Sequence, residues 1–133
     1  MIFIDSSYLI ALVNERDPYH DEAVELLAFG VGNELWVSTH LVFGRLWDFL
    51  APRVGAMAAR WLLGVISSSH QLKILPVTQA MQAEAFGILG TGVKDPLSYV
   101  DATSITLMRA LGVTKIMTFV AGMERYGLQP VRD

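Results

Sequence analysis

Four apolar residues, Met1, Ile2, Phe3 and Ile4, run directly into Asp5, and Ser6 and Ser7 follow. An apolar stretch with no polar alternation reads as a strand covered on both faces, as strands of parallel sheets are. The run from Tyr8 to Val13 behind it suits a helix. A carboxylate at the carboxyl end of a buried parallel strand lies on the rim where open α/β sheets bind ligands. The same position suits a helix cap, a role that Asp5 or Ser6 can fill. The strand, the acid and the helix are therefore settled before any role for the acid is.

The pattern repeats along the chain. Asp17-Pro18 is a helix start, and the segment to about Phe29 sets Tyr19, Ala23, Leu26 and Leu27 on one face. Gly30-Val31-Gly32-Asn33 ends it, Leu35-Trp36-Val37 is a short strand, and Ser38 or Thr39 caps the next helix. That helix packs Val42, Leu46, Phe49 and Leu50 inward and carries Leu41, Arg45 and Asp48 on another stripe, and Pro52 is expected to close it. Val54, Ala58, Trp61, Leu62, Val65 and Ile66 mark a fourth helix, with Ser67 to His70 as its exit. Leu72 to Val77 reads as a strand, and Thr78 caps a helix carrying Met81, Ala85, Ile88 and Leu89. Gly90-Thr91-Gly92 is a loop, a sixth helix spans about Ser98 to Leu111, and Gly112 stops it. Val113 to Phe119 supplies a fourth strand, and Leu128 to Val131 a short edge strand. Strands alternating with helices predict an α/β fold around a parallel sheet. With no repeat or linker in the chain, residues 1–133 read as one domain.

Composition removes several classes of function. Hydrophobic residues make up 53% of the 133, yet charges or polar residues break every run short of the ~18–20 needed to span a bilayer. The amino terminus lacks the basic lead and small-residue cleavage site of a secretory signal, and with no cysteine there is no disulfide framework or thiolate metal site. A cytoplasmic protein is the expectation. The net charge of −3 argues against non-specific nucleic-acid binding, which phosphate neutralisation drives. Nucleic acid would need a local patch, a metal or a partner. So apolar a surface also predicts a subunit interface.

In a parallel sheet, strand ends and the helix starts behind them converge on one rim. Asp5 is there, and so are Asp101, in the first turn of the sixth helix, and Asp95 just ahead of it. Carboxylates meeting at one point repel unless a cation joins them, and magnesium suits such oxygen ligands. A structural role competes in each case: Ser98-Tyr99-Val100-Asp101 is a capping box, and Asp95-Pro96 an ordinary helix start.

Several stretches add up to more than any one of them. These are Ile4-Asp5-Ser6-Ser7 with Leu9-Ile10-Ala11-Leu12, Asp17-Pro18-Tyr19-His20 with Ala23, and Val37-Ser38-Thr39. Later come Leu97-Ser98-Tyr99-Val100-Asp101-Ala102 with Met108-Arg109, and Thr118-Phe119 ahead of Glu124-Arg125-Tyr126-Gly127-Leu128. In order and spacing the chain resembles a PIN domain, the fold of VapC-type toxin nucleases of toxin–antitoxin pairs. The resemblance implies a three-layer α/β/α sandwich with a central, mainly parallel sheet of about four or five strands. It implies a Mg2+- or Mn2+-dependent ribonuclease, with RNA as substrate, a cognate antitoxin protein as partner and a homodimer as the assembly. Cations would bind the scissile phosphate and activate a water.

The same resemblance implies a cluster of about four acids, of which this chain keeps two. Asp5 and Asp101 match as catalytic residues and metal ligands. The family's glutamate on the third helix falls at Arg45, and its last acid, right after Thr118-Phe119, falls at Val120. A guanidinium cannot ligate a metal and valine offers no oxygen. Four carboxylates give a formal charge of about −4, and two with an arginine leave about −1. Arg45 is thus expected to pair with Asp5 and Asp101 as an internal counter-ion in the metal's place. Asp48, Asp95 and Ser7 are the residues that could support a rearranged site, although Asp48 lies about 5 Å farther along the helix axis.

Other residues carry less. His20, His40 and His70 have no metal-binding spacing: His20 reads as a helix-surface residue and His40 as a first-turn residue near the presumed site. Trp36, Trp47 and Trp61 could stack on bases but fit core or interface better. Arg53, Arg60, Lys94, Arg109 and Arg125 are scattered, and read as solvated. A receiver-like domain phosphorylated on Asp5 lacks its acid pair and the lysine after the fourth strand. Two readings remain: a ribonuclease with a degraded metal site and weak or no cleavage, or a catalytically inactive PIN-fold module that binds RNA or a protein.

Overall fold

A computed structural model of the chain describes residues 1–29, 33–90 and 97–132. The expected loops at Gly30–Gly32 and Thr91–Gly92, together with Lys94 and Asp95, lie outside the described residues. In chain order the elements are β1 (Ile2–Ile4), α1 (Ser6–Val13), α2 (His20–Phe29), β2 (Trp36–Thr39), α3 (His40–Val54) and α4 (Ala56–Ser67). There follow β3 (Leu72–Leu75), α5 (Gln79–Ile88), α6 (Tyr99–Leu111), β4 (Lys115–Met117), a 3₁₀ turn at Met123–Tyr126, and β5 (Gln129–Pro130). The five strands form one sheet in the order β3-β2-β1-β4-β5, every pair parallel. Helices flank it in an α/β/α sandwich, as expected.

The order of the strands decides where a ligand can sit. From β1 the chain steps to β2 and β3 on one side, then crosses to β4 and β5 on the other. The crossover makes a crevice outside the carboxyl ends of β1 and β4, the place where open parallel sheets bind ligands. Phe3 is in register with Ile116 and Ile4 with Met117, and the Asp5 amide donates to Met117 O at 3.0 Å. Asp5 and Thr118 therefore leave their strands side by side.

Burial explains the order. Ile2, Phe3 and Ile4 are buried, with Tyr8 and Leu9 of α1, Val42, Leu46 and Leu50 of α3, and Ile105 and Met108 of α6 packed on the same core. Each such side chain contributes about 1.5–3 kcal/mol relative to exposure. Burial also pushes the Tyr8 phenol up to about 12, so it stays neutral and donates to Ala23 O at 2.9 Å.

Several boundaries differ from expectation for identifiable reasons. Asp17 does turn the chain, its carboxylate accepting from the Tyr19 amide at 2.8 Å, but α2 starts only at His20. His20 is half-buried and bonds Ala11 O through Nδ1 at 2.7 Å, tying α2 to α1 instead of facing solvent. Of the two candidate caps, Thr39 caps α3, accepting from Val42 N, while Ser38 lies within β2 and donates to Ile4 O. Pro52 lies inside α3 and does not end it. The bond it forfeits would go to the carbonyl of Asp48, which is exposed, so water can serve that oxygen. The helix stops at Gly55, whose φ of +88° lets α4 begin at the next residue.

The fourth helix is the largest departure. Its expected apolar set divides: Leu62 and Ile66, with Leu63, pack against the core, whereas Trp61 and Val65 face outward with Met57. Among the described residues no helix is long and apolar enough to cross a membrane.

Candidate active site

Asp5 caps the first helix. As the N-cap of α1 it accepts from the Ser7 amide at 3.2 Å, and it lies buried at the carboxyl end of β1 beside Thr118. One oxygen, Oδ2, also accepts from the Ser7 hydroxyl at 2.6 Å and the Thr118 hydroxyl at 3.1 Å. The Ser7 hydroxyl in turn accepts from the Phe119 amide at 3.0 Å, and Thr118 Oγ1 from the Val120 amide at 3.0 Å. The ends of β1 and β4 are thereby laced through hydroxyls to one carboxylate oxygen. The other oxygen, Oδ1, is buried without a hydrogen-bond partner among the described residues. A buried carboxylate oxygen in that condition calls for a donor or a cation.

Asp101 enters from α6. Ser98 caps that helix, its hydroxyl accepting from the Asp101 amide at 3.0 Å, which is half of the predicted capping box. The carboxylate turns instead to α3, where Arg45 Nη1 lies 3.2 Å from Asp101 Oδ1 and 3.2 Å from the Ser98 hydroxyl. The Asp101 side chain is 5% exposed and that of Arg45 35%. Burial raises the Asp101 carboxyl above the usual carboxylate range, and the negative charge of Asp5 adds to the rise. Arg45 and Ser98 pull the other way. The sequence led us to expect Arg45 on both acids, but no ion pair joins it to Asp5 among the described residues.

The remaining predicted residues divide. Ser7 is central to the network. Val120 follows Thr118-Phe119 and packs partly buried against the core. Asp48 is exposed, and Asp95 lies outside the described residues. No group of three or more acid, histidine or cysteine side chains able to hold a metal ion occurs among the described residues. His40 is a first-turn residue, as expected, and its Nδ1 accepts from the Val77 amide at 3.3 Å. The sequence marks Thr118 only as part of the Thr118-Phe119 match and gives no sign of its bond to Asp5, 113 positions away.

Chemically, the residues present fit a divalent cation poorly. Asp5 Oδ1 is what a cation would take, but Asp101 Oδ1 already carries a guanidinium, whose charge repels a second cation nearby. Unit charges of like sign 4 Å apart repel by about 4 kcal/mol at an effective dielectric near 20, and a dication by about twice that.

Comparisons with known proteins identify the family and the fold. Residues 2–127 match the PIN domain. The chain is 32% identical over 132 residues to the 23S rRNA-specific endonuclease VapC20 of Mycobacterium tuberculosis, covering 99% of this chain and 98% of that one. The crystal structure of Mycobacterium tuberculosis VapC20, described as a sarcin–ricin loop cleaving toxin, superposes with a TM-score of 0.88 at 29% identity over the whole of both chains. The fold is shared with VapBC2 from Rickettsia felis, in a crystal structure bound to a DNA fragment from their promoter, at a TM-score of 0.72, 15% identity and 98% coverage of both chains. This chain belongs to the PIN domain family and is VapC-like in sequence and fold.

Proposed function

We propose that this chain is a VapC-like ribonuclease homologue whose metal site is degraded by Arg45 and Val120, so that it cleaves RNA weakly or not at all. The observation that carries the reading is the 3.2 Å contact between Arg45 Nη1 and Asp101 Oδ1. The guanidinium takes the place of a cation beside Asp101, which acts as its counter-charge in place of a metal ligand. Two carboxylates and one guanidinium leave the cluster at about −1, too little to collect Mg2+ or Mn2+ from dilute solution. Likeness to a 23S rRNA-specific endonuclease makes RNA the ligand to test. A short RNA bearing the sarcin–ricin loop, incubated with the protein and Mn2+, should be bound and left intact. Cleavage at one bond, abolished by chelation, would show a working nuclease.

A second reading rests on α4. Met57, Trp61 and Val65 recur every four residues and are exposed, Met57 by 89% and Trp61 by 67%. With Arg60, Gly64 and Ser68 they line a groove of about 510 Å³. A PIN-fold interaction module would use such a face for a second copy of the chain or an antitoxin-like partner. Sedimentation velocity tests the homodimer: the wild-type chain is expected to be a dimer and Trp61→Glu a monomer, while a monomeric wild type would remove the homodimer from this reading.

A further inference from the structure

Three aromatic rings rise in a column from the core to the rim beside Asp5. Tyr8, buried in α1, stacks beneath Phe119, their centroids 6.1 Å apart and their planes 26° from parallel. Phe119 stacks in turn beneath Tyr19, at 4.5 Å and 7°. Tyr19 is 47% exposed, so the ring stacked on Phe119 keeps accessible surface. Its backbone is held by the Asp17 carboxylate, and Tyr8 by Ala23 O, so the column is ordered before anything binds.

We propose that Tyr19, backed by Phe119, is a stacking platform for one unpaired nucleobase of a single-stranded RNA. The inference rests on the RNA-binding reading above and adds a site to it. Every base has a π-face, and an exposed, nearly parallel aromatic pair presents a flat surface to it. The platform is fixed to the acid site by a short path. The Phe119 amide donates to Ser7 Oγ at 3.0 Å, and that hydroxyl donates to Asp5 Oδ2 at 2.6 Å. A positive charge stands alongside, for the guanidinium carbon of Arg132 is 5.9 Å from the Phe119 centroid and its Nη1 donates to Thr118 O at 3.1 Å. A base on Tyr19 would thus have a guanidinium near its phosphate, a favourable pairing in a chain of net charge −3. The other exposed aromatic pair, Phe86 and Tyr99, is tilted by 45° and offers no such flat face.

The test uses the full chain and a labelled single-stranded oligoadenylate of about twelve nucleotides, within the span of known single-strand sites. One adenine is replaced by fluorescent 2-aminopurine, whose emission is quenched on stacking. The wild type should bind the oligonucleotide and quench the probe. Tyr19→Leu, which keeps bulk and loses the ring, should bind about tenfold more weakly and leave the probe bright. Tyr19→Trp should restore both, and Phe86→Leu should change neither. Thermal unfolding of each variant separates a lost platform from a lost fold. Undiminished binding and quenching by folded Tyr19→Leu would overturn the platform and leave RNA binding standing. An equal loss in Phe86→Leu would also overturn it, by showing diffuse apolar contact. A wild type that binds no single strand would overturn the platform and the RNA reading together.

Discussion

The double variant Arg45→Glu/Val120→Asp is expected to bind Mn2+ more tightly than the wild type by well over tenfold, more than ~1.4 kcal/mol. Both positions adjoin the site, Arg45 through its side chain and Val120 through its backbone amide. Arg45 already reaches Asp101 from α3, and Val120 follows Thr118, whose hydroxyl bonds both Asp5 and the Val120 amide. The change removes a repulsive cation and adds two carboxylates, taking the formal charge from about −1 to about −4. It also gives the bare Asp5 Oδ1 a cation to meet. Calorimetric titration reads the difference directly. Equal affinity in the two proteins would mean that positions 45 and 120 are not what limits the site.

Removing Arg45 alone has the second large effect, and it falls on stability. In Arg45→Met the Asp101 carboxylate stays buried and loses its only ion-pair partner among the described residues. Breaking a fully buried pair costs about 3–5 kcal/mol, but Arg45 is 35% exposed and partly screened, so about 1–3 kcal/mol is expected at neutral pH. The pH dependence has a definite sign. Burial, with Asp5 second, already holds the folded Asp101 carboxyl above its unfolded value of 3.8. A raised acid contributes stability that is complete below the unfolded pKa and is lost as pH rises through the folded pKa. Without Arg45 the folded value climbs further, so the loss deepens and extends to higher pH. Urea unfolding should therefore find the variant close to the wild type at pH 4 and furthest behind at pH 7. Adding Asp101→Asn should recover most of the deficit. A deficit equal at both pH values would mean that Arg45 stabilises by packing and not through Asp101.

What was legible in the sequence was what local chemistry decides. A buried run ending at Asp5, a Thr39 or Ser38 cap, Ser98 and Gly112 bounding α6, and the attraction of Arg45 to an acid all follow from neighbouring residues and charge. Three features were hidden because distant contacts decide them. Thr118 meets Asp5 only because the chain crosses to the far side of β1 before forming β4. The stacking of Tyr19 on Phe119 likewise joins residues from opposite ends of the chain. On α4, apolar residues occur on more than one side, so periodicity alone did not tell the packed Leu62 and Ile66 from the exposed Trp61 and Val65. Proline inside α3 is the opposite case. The local rule predicted a stop at Pro52, but the helix runs on to Val54, and the residue whose carbonyl loses its bond, Asp48, is exposed.

The most direct test of the central claim, that Arg45 stands where a cation would, is a crystal structure of the wild-type chain soaked in Mn2+, with an anomalous difference map. The account predicts no manganese peak between Asp5 and Asp101, and Arg45 Nη1 still on Asp101 Oδ1. A strong peak within coordination distance of both carboxylates, with Arg45 swung away, would contradict it.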